Sequence, residues 1–168
     1  MNFEDVIRLR TATRKFEDTF VEREKVEKIL EAGRLAPTAK NLQPQKIFVV
    51  TSKKGLIQID KASPCRYNAP LVLMVCSDKS VAFQKNNYST YEMDAVIVAT
   101  HMMLEATNLG VDNVWVELFD RNILKKEFNL KEDLEPICLL MLGYRSSDCP
   151  VNPIHKVRKE LSEIVEYV

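Results

Sequence analysis

The run Ala95-Val96-Ile97-Val98-Ala99-Thr100-His101-Met102-Met103-Leu104-Glu105-Ala106 is apolar on nearly every face. It is too long for a strand, and Asn108-Leu109-Gly110 closes it as a helix C-terminus is closed. A helix that is hydrophobic all round has to be covered on all sides. A chain of 168 residues has little material for that, so two arrangements stand: a central core helix, or a helix shared with a partner subunit. In both, the 46% apolar content predicts one domain, residues 1–168, around one core.

The remaining elements surround that helix. Phe3, Val6 and Ile7 fall at i, i+3 and i+4, which predicts a helix over residues 2 to about 11. Val26, Ile29, Leu30 and Gly33 repeat the pattern over 22–35, before Pro37 stops it. Short apolar runs at 47–50, 71–76, 114–116 and 137–142 predict strands, the second and fourth central because they are apolar throughout. Helices are expected at 121–128 and 156–165. The alternation is too irregular for a doubly wound sheet, and the reading is α+β.

Several chemistries are excluded by scarcity. Charge is balanced, 24 Lys+Arg against 24 Asp+Glu, so no global field draws the chain to nucleic acid or an anionic membrane. Any anion site is local. The four glycines compare with roughly twelve expected at average usage, and neither a G-x-G-x-x-G turn nor a P-loop can be written. Cys65, Cys76, Cys138 and Cys149 form no C-x-x-C pair, and with only His101 and His155 the usual zinc spacings are absent. These cysteines read as reduced core thiols, and His101 as a satisfied core histidine. No leader or membrane-length apolar stretch is present, so a cytoplasmic protein is expected.

Three clusters remain that could carry chemistry. Arg10 sits at i+7 from Phe3, where the core stripe should continue, and Arg14 follows four residues on. Buried guanidinium groups require an anion; otherwise both arginines reach solvent or pair with Glu4, Asp5 or Glu17. The loop Pro37-Thr38-Ala39-Lys40-Asn41-Leu42-Gln43-Pro44-Gln45 is stiffened by two prolines and rich in donors and acceptors for a flat heterocycle. It reads equally as a plain helix-to-strand connection. His155-Lys156-Val157-Arg158-Lys159 gathers cations that can neutralise a phosphate or form a solvated face. Asp94 opens the apolar helix as a helix-start carboxylate.

Taken in order, Arg10-Thr11-Ala12-Thr13-Arg14-Lys15-Phe16, Ala36-Pro37-Thr38-Ala39-Lys40-Asn41-Leu42-Gln43-Pro44, Asp94-Ala95 opening the long helix, Trp115-Val116-Glu117 and Lys156-Val157-Arg158 resemble the nitroreductase family of FMN-dependent oxidoreductases, in its short single-domain form. The resemblance implies a mostly antiparallel central sheet flanked by helices, in an intertwined homodimer with FMN at the subunit interface. It places the FMN phosphate on Arg10, Thr11, Ala12 and Arg14 with Lys156 and Arg158. It places Pro37, Thr38, Ala39 and Asn41 of the other subunit on the flavin ring, and the main chain at Glu117 and Leu118 at flavin N5. No side chain is implied as a catalyst, and no metal. NADH or NADPH is the implied electron donor, and a nitroaromatic, quinone or similar small molecule the acceptor, by ping-pong kinetics. Reductive dehalogenation, flavin fragmentation or a non-catalytic flavin-binding dimer would use the same scaffold. Nucleic acid and membrane are not implied partners.

The sequence departs from the family pattern at Ala12, where serine is usual, at Gln45 after Pro44, and at Leu118. Thr11 or Thr13 is the expected substitute for the missing hydroxyl. Residues 77–91, with Phe83, Tyr88 and Tyr91, lack a pattern of their own and are expected to form a mobile cover over the acceptor pocket.

Overall fold

The computed structural model describes residues 1–168. In chain order it contains α1 (Phe3–Leu9), α2 (Arg23–Leu35), β1 (Gln45–Val50), α3 (Lys53–Ala62), β2 (Leu71–Asp78), β3 (Gln84–Lys85), β4 (Tyr88–Ser89), α4 (Tyr91–Asn108), β5 (Asp112–Val116), α5 (Arg121–Glu127) and β6 (Leu134–Gly143). Short 3-10 turns lie at Ala39–Asn41, Pro153–Lys156 and Leu161–Glu163. The main sheet runs β1-β2-β6-β5, antiparallel at every pairing. The fold is α+β, as the residue pattern predicts. Central β2 and β6 are apolar because both of their faces are buried.

Helices cover the two sheet faces. On one, α4 packs on the sheet and α2 on α4, burying Leu71, Leu73, Val75, Val98, Met102 and Leu140. On the other, α3 and α5 lie against Val72, Met74, Leu139 and Met141. The even and odd residues of β2 thus serve different layers, the period-two rule applied to a strand covered twice. The register shifts between Val75 and Cys76, where Ile137 of β6 has no partner, and Ile137 and Cys138 both face the α4 layer while β2 keeps its alternation. No helix is long and apolar enough to cross a membrane.

The long apolar helix divides between the two arrangements anticipated for it. Ala95, Val98, Ala99, Met102 and Ala106 enter the core, while Met93, Val96 and Ile97 stay exposed. His101 is exposed too, so it is not a core histidine; its Nδ1 lies 2.8 Å from the Ile97 carbonyl one turn back.

Three expectations are corrected, and one element is added. The first helix ends at Leu9, with Phe3 and Ile7 exposed and Val6 alone buried, so Arg10 caps the helix rather than continuing a core stripe. The helix expected over 156–165 is two 3-10 turns joined by extended chain; Val157, Leu161 and Ile164 are exposed, and a helix this short needs a surface to bury against. Residues 77–91 do have a pattern, the hairpin of β3 and β4. Lys53–Ala62, where the sequence predicts no element, forms α3, capped by Ser52, whose hydroxyl accepts from the Gly55 N–H at 3.1 Å.

Candidate functional site

The two ends of the chain meet in a cluster of cations. Glu4, Ile7 and Arg8 of α1 face His155, Lys156 and Arg158 across a cleft of about 500 Å³. Arg8 is paired with Glu4 at 2.6 Å, whereas Arg10, Lys156 and Arg158 make no ion pair. Arg10 Nη2 lies 3.5 Å from His155 Nδ1. Burial, and then the neighbouring charge of Arg158, hold the Arg10 guanidinium below its usual pKa. Glu4, the one carboxylate lining this cleft, is engaged by Arg8, so the like charges of Arg10, Lys156 and Arg158 repel one another, and an anion bound among them relieves that repulsion.

Arg10 borders that cleft through His155, and Arg14 does not line it. Arg14 approaches the Tyr67 hydroxyl. Contact with the Cys65 thiol, reinforced by burial, holds that phenol above its ordinary pKa while Arg14 pulls it down. The segment between the two arginines runs extended along β5, with the Thr13 N–H donating to the Asn113 carbonyl at 3.0 Å.

Behind this segment lies a residue that no motif pointed to. Arg145 Nη2 donates to the Thr11 and Thr13 hydroxyls, the latter at 2.7 Å, and its Nε and Nη2 donate to Asp112 Oδ1 at 3.2 Å. The hydroxyl of Thr13, a fully buried residue, donates to Asp112 Oδ1 at 3.2 Å. The period-two alternation of extended chain then puts Arg10, Ala12 and Arg14 on the opposite side. The Thr13 hydroxyl is fully committed and the Thr11 hydroxyl faces Arg145, so neither stands where the Ala12 side chain does. The expected substitution for the missing hydroxyl is corrected on that ground.

The turn after β5 carries Glu117 and Leu118. Glu117 Oε1 accepts from Trp115 Nε1 at 2.9 Å, and the Leu118 side chain is exposed. The Phe119 N–H donates back to the Glu117 carbonyl at 3.0 Å, while the Leu118 N–H makes no intramolecular hydrogen bond. The C-terminal end of α3 straps this turn down: the Asp120 N–H donates to the Ala62 carbonyl at 2.9 Å, and the Ser63 hydroxyl to the Leu118 carbonyl at 2.7 Å.

The loop from Pro37 to Gln45 is bound to α4 rather than to these elements. Asp94, buried at the start of α4, accepts the Ala39 N–H at 2.8 Å and the Thr90 hydroxyl at 2.7 Å. It is more than a helix-start charge, since it fixes the loop. Thr38 Oγ1 accepts the Gln43 N–H at 3.0 Å. Lys40, Asn41 and Gln43 hold φ of 51°, 54° and 52°, a left-handed conformation that side-chain-bearing residues adopt at a cost. Lys40 Nζ sits 4.5 Å from the centre of the Phe83 ring, tying the loop to the β3–β4 hairpin. Within one chain, Pro37, Thr38, Ala39 and Asn41 make no hydrogen bond to the cation cluster or to the Glu117–Leu118 turn.

The comparisons with known proteins agree with this architecture. A profile of the Nitroreductase family matches residues 7–66 and 63–144. A nitroreductase family protein of Clostridium difficile 630 is 41% identical, with 99% of this chain and 98% of that one aligned at a TM-score of 0.94. An "FMN-dependent Nitroreductase" of Clostridium difficile R20291 is 26% identical over 92% of this chain and 96% of its own, at a TM-score of 0.76. A Methanothermobacter thermautotrophicus protein named "Putative NADH dehydrogenase/NAD(P)H nitroreductase" is 28% identical over 86% of this chain and 78% of its own length. The profile match and the near-complete structural overlap together place this chain in the Nitroreductase family.

Proposed function

We propose that the protein is an FMN-dependent oxidoreductase acting as a homodimer, with the FMN phosphate held among Arg10, Lys156 and Arg158. The observation that carries this reading is the cluster of Arg10, Lys156 and Arg158, none of them in an ion pair, with Arg10 Nη2 3.5 Å from His155 Nδ1. A phosphate dianion fits the charge of that cluster and the forked donors of its two arginines. Relatives named for FMN and NAD(P)H support the choice of cofactor and donor. When bound, FMN supplies the redox chemistry, taking hydride from NADH or NADPH and passing electrons to a nitroaromatic, quinone or similar acceptor.

The chain's own part is binding and orientation. The main chain of Thr11 and Ala12 lies beside the phosphate position, backed by Arg145. The Glu117–Leu118 turn contributes to the ring position, where the free Leu118 N–H is a donor without a partner, and Arg14 belongs with Thr11 and Ala12 to the phosphate-binding segment. Pro37, Thr38, Ala39 and Asn41 reach the ring of the second subunit's site. The exposed apolar side chains of α1 and α4 supply the surface on which two copies meet.

The test is direct. Purified protein is expected to be yellow, and NADH or NADPH to bleach the flavin band without oxygen. Arg10→Ala and Arg158→Ala should each weaken FMN binding roughly 10- to 100-fold, the range of a charge-assisted contact. Riboflavin, lacking the phosphate, should bind them as it binds the parent. A colourless protein that takes up no added FMN overturns the proposal.

A further inference from the structure

The Glu117–Leu118 turn is held through a chain of hydrogen bonds that begins in the loop after α3. The Cys65 N–H donates to Ser63 Oγ at 3.1 Å. The Ser63 hydroxyl, its lone pair thus engaged, donates to the Leu118 carbonyl at 2.7 Å. That carbonyl shares a peptide plane with the Phe119 N–H, which donates to the Glu117 carbonyl at 3.0 Å. The Glu117 carbonyl in turn shares its plane with the Leu118 N–H. In a trans peptide the N–H and C=O point in opposite directions, so turning the Glu117 carbonyl back toward Phe119 drives the Leu118 N–H outward, where it has no partner. Two peptide planes are set by one side chain, and Ser63 is only 2% exposed.

From this geometry we infer that Ser63 is a positioning residue, which aims and polarises the Leu118 N–H toward the flavin. The inference rests on the reading that this main chain faces flavin N5. Each link orients the next, and a hydrogen bond accepted at the Leu118 carbonyl makes the Phe119 N–H of that peptide a stronger donor. Without the Ser63 hydroxyl this turn is held from α3 only at the next peptide, by the Asp120 N–H on the Ala62 carbonyl, so the Phe119 bond weakens and the Leu118 N–H is less firmly aimed. A fixed donor aimed at N5 draws electron density from it and favours hydride acceptance. Ser63 itself touches neither flavin nor substrate in this scheme.

The test compares FMN-loaded parent, Ser63→Ala, Ser63→Cys and Ser63→Thr. Ser63→Ala should bind FMN within about twofold of the parent, because the phosphate cluster is untouched. Its bound flavin should have a more negative reduction potential, and anaerobic bleaching by NADH should slow about tenfold, the loss of one well-placed hydrogen bond. The Phe119 amide should exchange with deuterium faster. Ser63→Thr restores the hydroxyl and should recover potential and rate; Ser63→Cys, a weak donor of similar size, should fall between and serves if the alanine variant folds poorly. Wild-type potential and rate in Ser63→Ala or Ser63→Cys, whatever their melting temperatures, would overturn the role of Ser63 alone. A parent protein that takes up no FMN would instead overturn the functional reading on which the role depends.

Discussion

Single residues decide the electrostatics of this molecule in ways that its balanced charge conceals. Glu135 is mostly buried and lies 3.0 Å from Lys79 Nζ and 3.2 Å from Lys125 Nζ. Burial alone would raise its pKa, but Lys79 and then Lys125 outweigh burial and hold it below the ordinary value of 4.5. A carboxylate with a depressed folded pKa stabilises the fold above its unfolded pKa, and that stabilisation fades as pH falls through the folded value. Glu135→Gln should therefore cost about 1 kcal/mol in denaturant unfolding at neutral pH, with the difference from the parent closing as pH falls below the ordinary value of 4.5. Arg145 shows why part of the site was illegible in the sequence. Its partners Thr11 and Thr13 lie 134 and 132 positions away, and nothing in Tyr144-Arg145-Ser146 announces a buried guanidinium. Arg10 stood out in the sequence for continuing an apolar stripe that the structure leaves exposed at Phe3 and Ile7, and Arg158 for the basic cluster around it.

At the level of elements, periodicity located the long apolar runs, missed one short amphipathic helix and assigned a helix to an exposed tail. β2 and β6 were readable as uninterrupted apolar runs, and α2 from Val26, Ile29, Leu30 and Gly33. α3 escaped because Lys53-Lys54-Gly55 opens it with two charges and a glycine, and its stripe of Ile59 and Ala62 is short. The tail failed the other way: Leu161 and Ile164 have helical spacing but nothing in the chain to pack on. Gly143, at the end of β6, marks where elements come closest. A Cβ there would lie 2.9 Å from Pro70 Cδ and 3.0 Å from Phe16 Cδ1, both atoms of rings that yield little. Gly143→Ala should cost about 2 kcal/mol, read as a lower denaturation midpoint with an unchanged m-value. The loss arises where Phe16 bridges to Arg145, so it should also loosen the segment carrying Arg10 and Ala12.

At the scale of the whole molecule, the exposed Phe3, Ile7, Val96 and Ile97 are the side chains that the proposed dimer would cover. Sedimentation should then give a mass about twice 19.3 kDa, and Ile97→Asp, burying a charge in that contact, should return it to a single chain. FMN binding should weaken with it, since the Pro37–Asn41 loop would lose the site it reaches. The scarcity of glycine has a consequence for the loops as well. Lys40, Asn41, Gln43, Tyr67, Asn68, Asn86 and Asn129 all turn through left-handed backbone, where Gly110 is the one glycine to do so. A glycine at those corners would relax the chain and leave a blank surface. Here each corner also displays an amide, an amine or a phenol, so the path of the loop and the functional groups it presents are inherited as one character and cannot be changed separately.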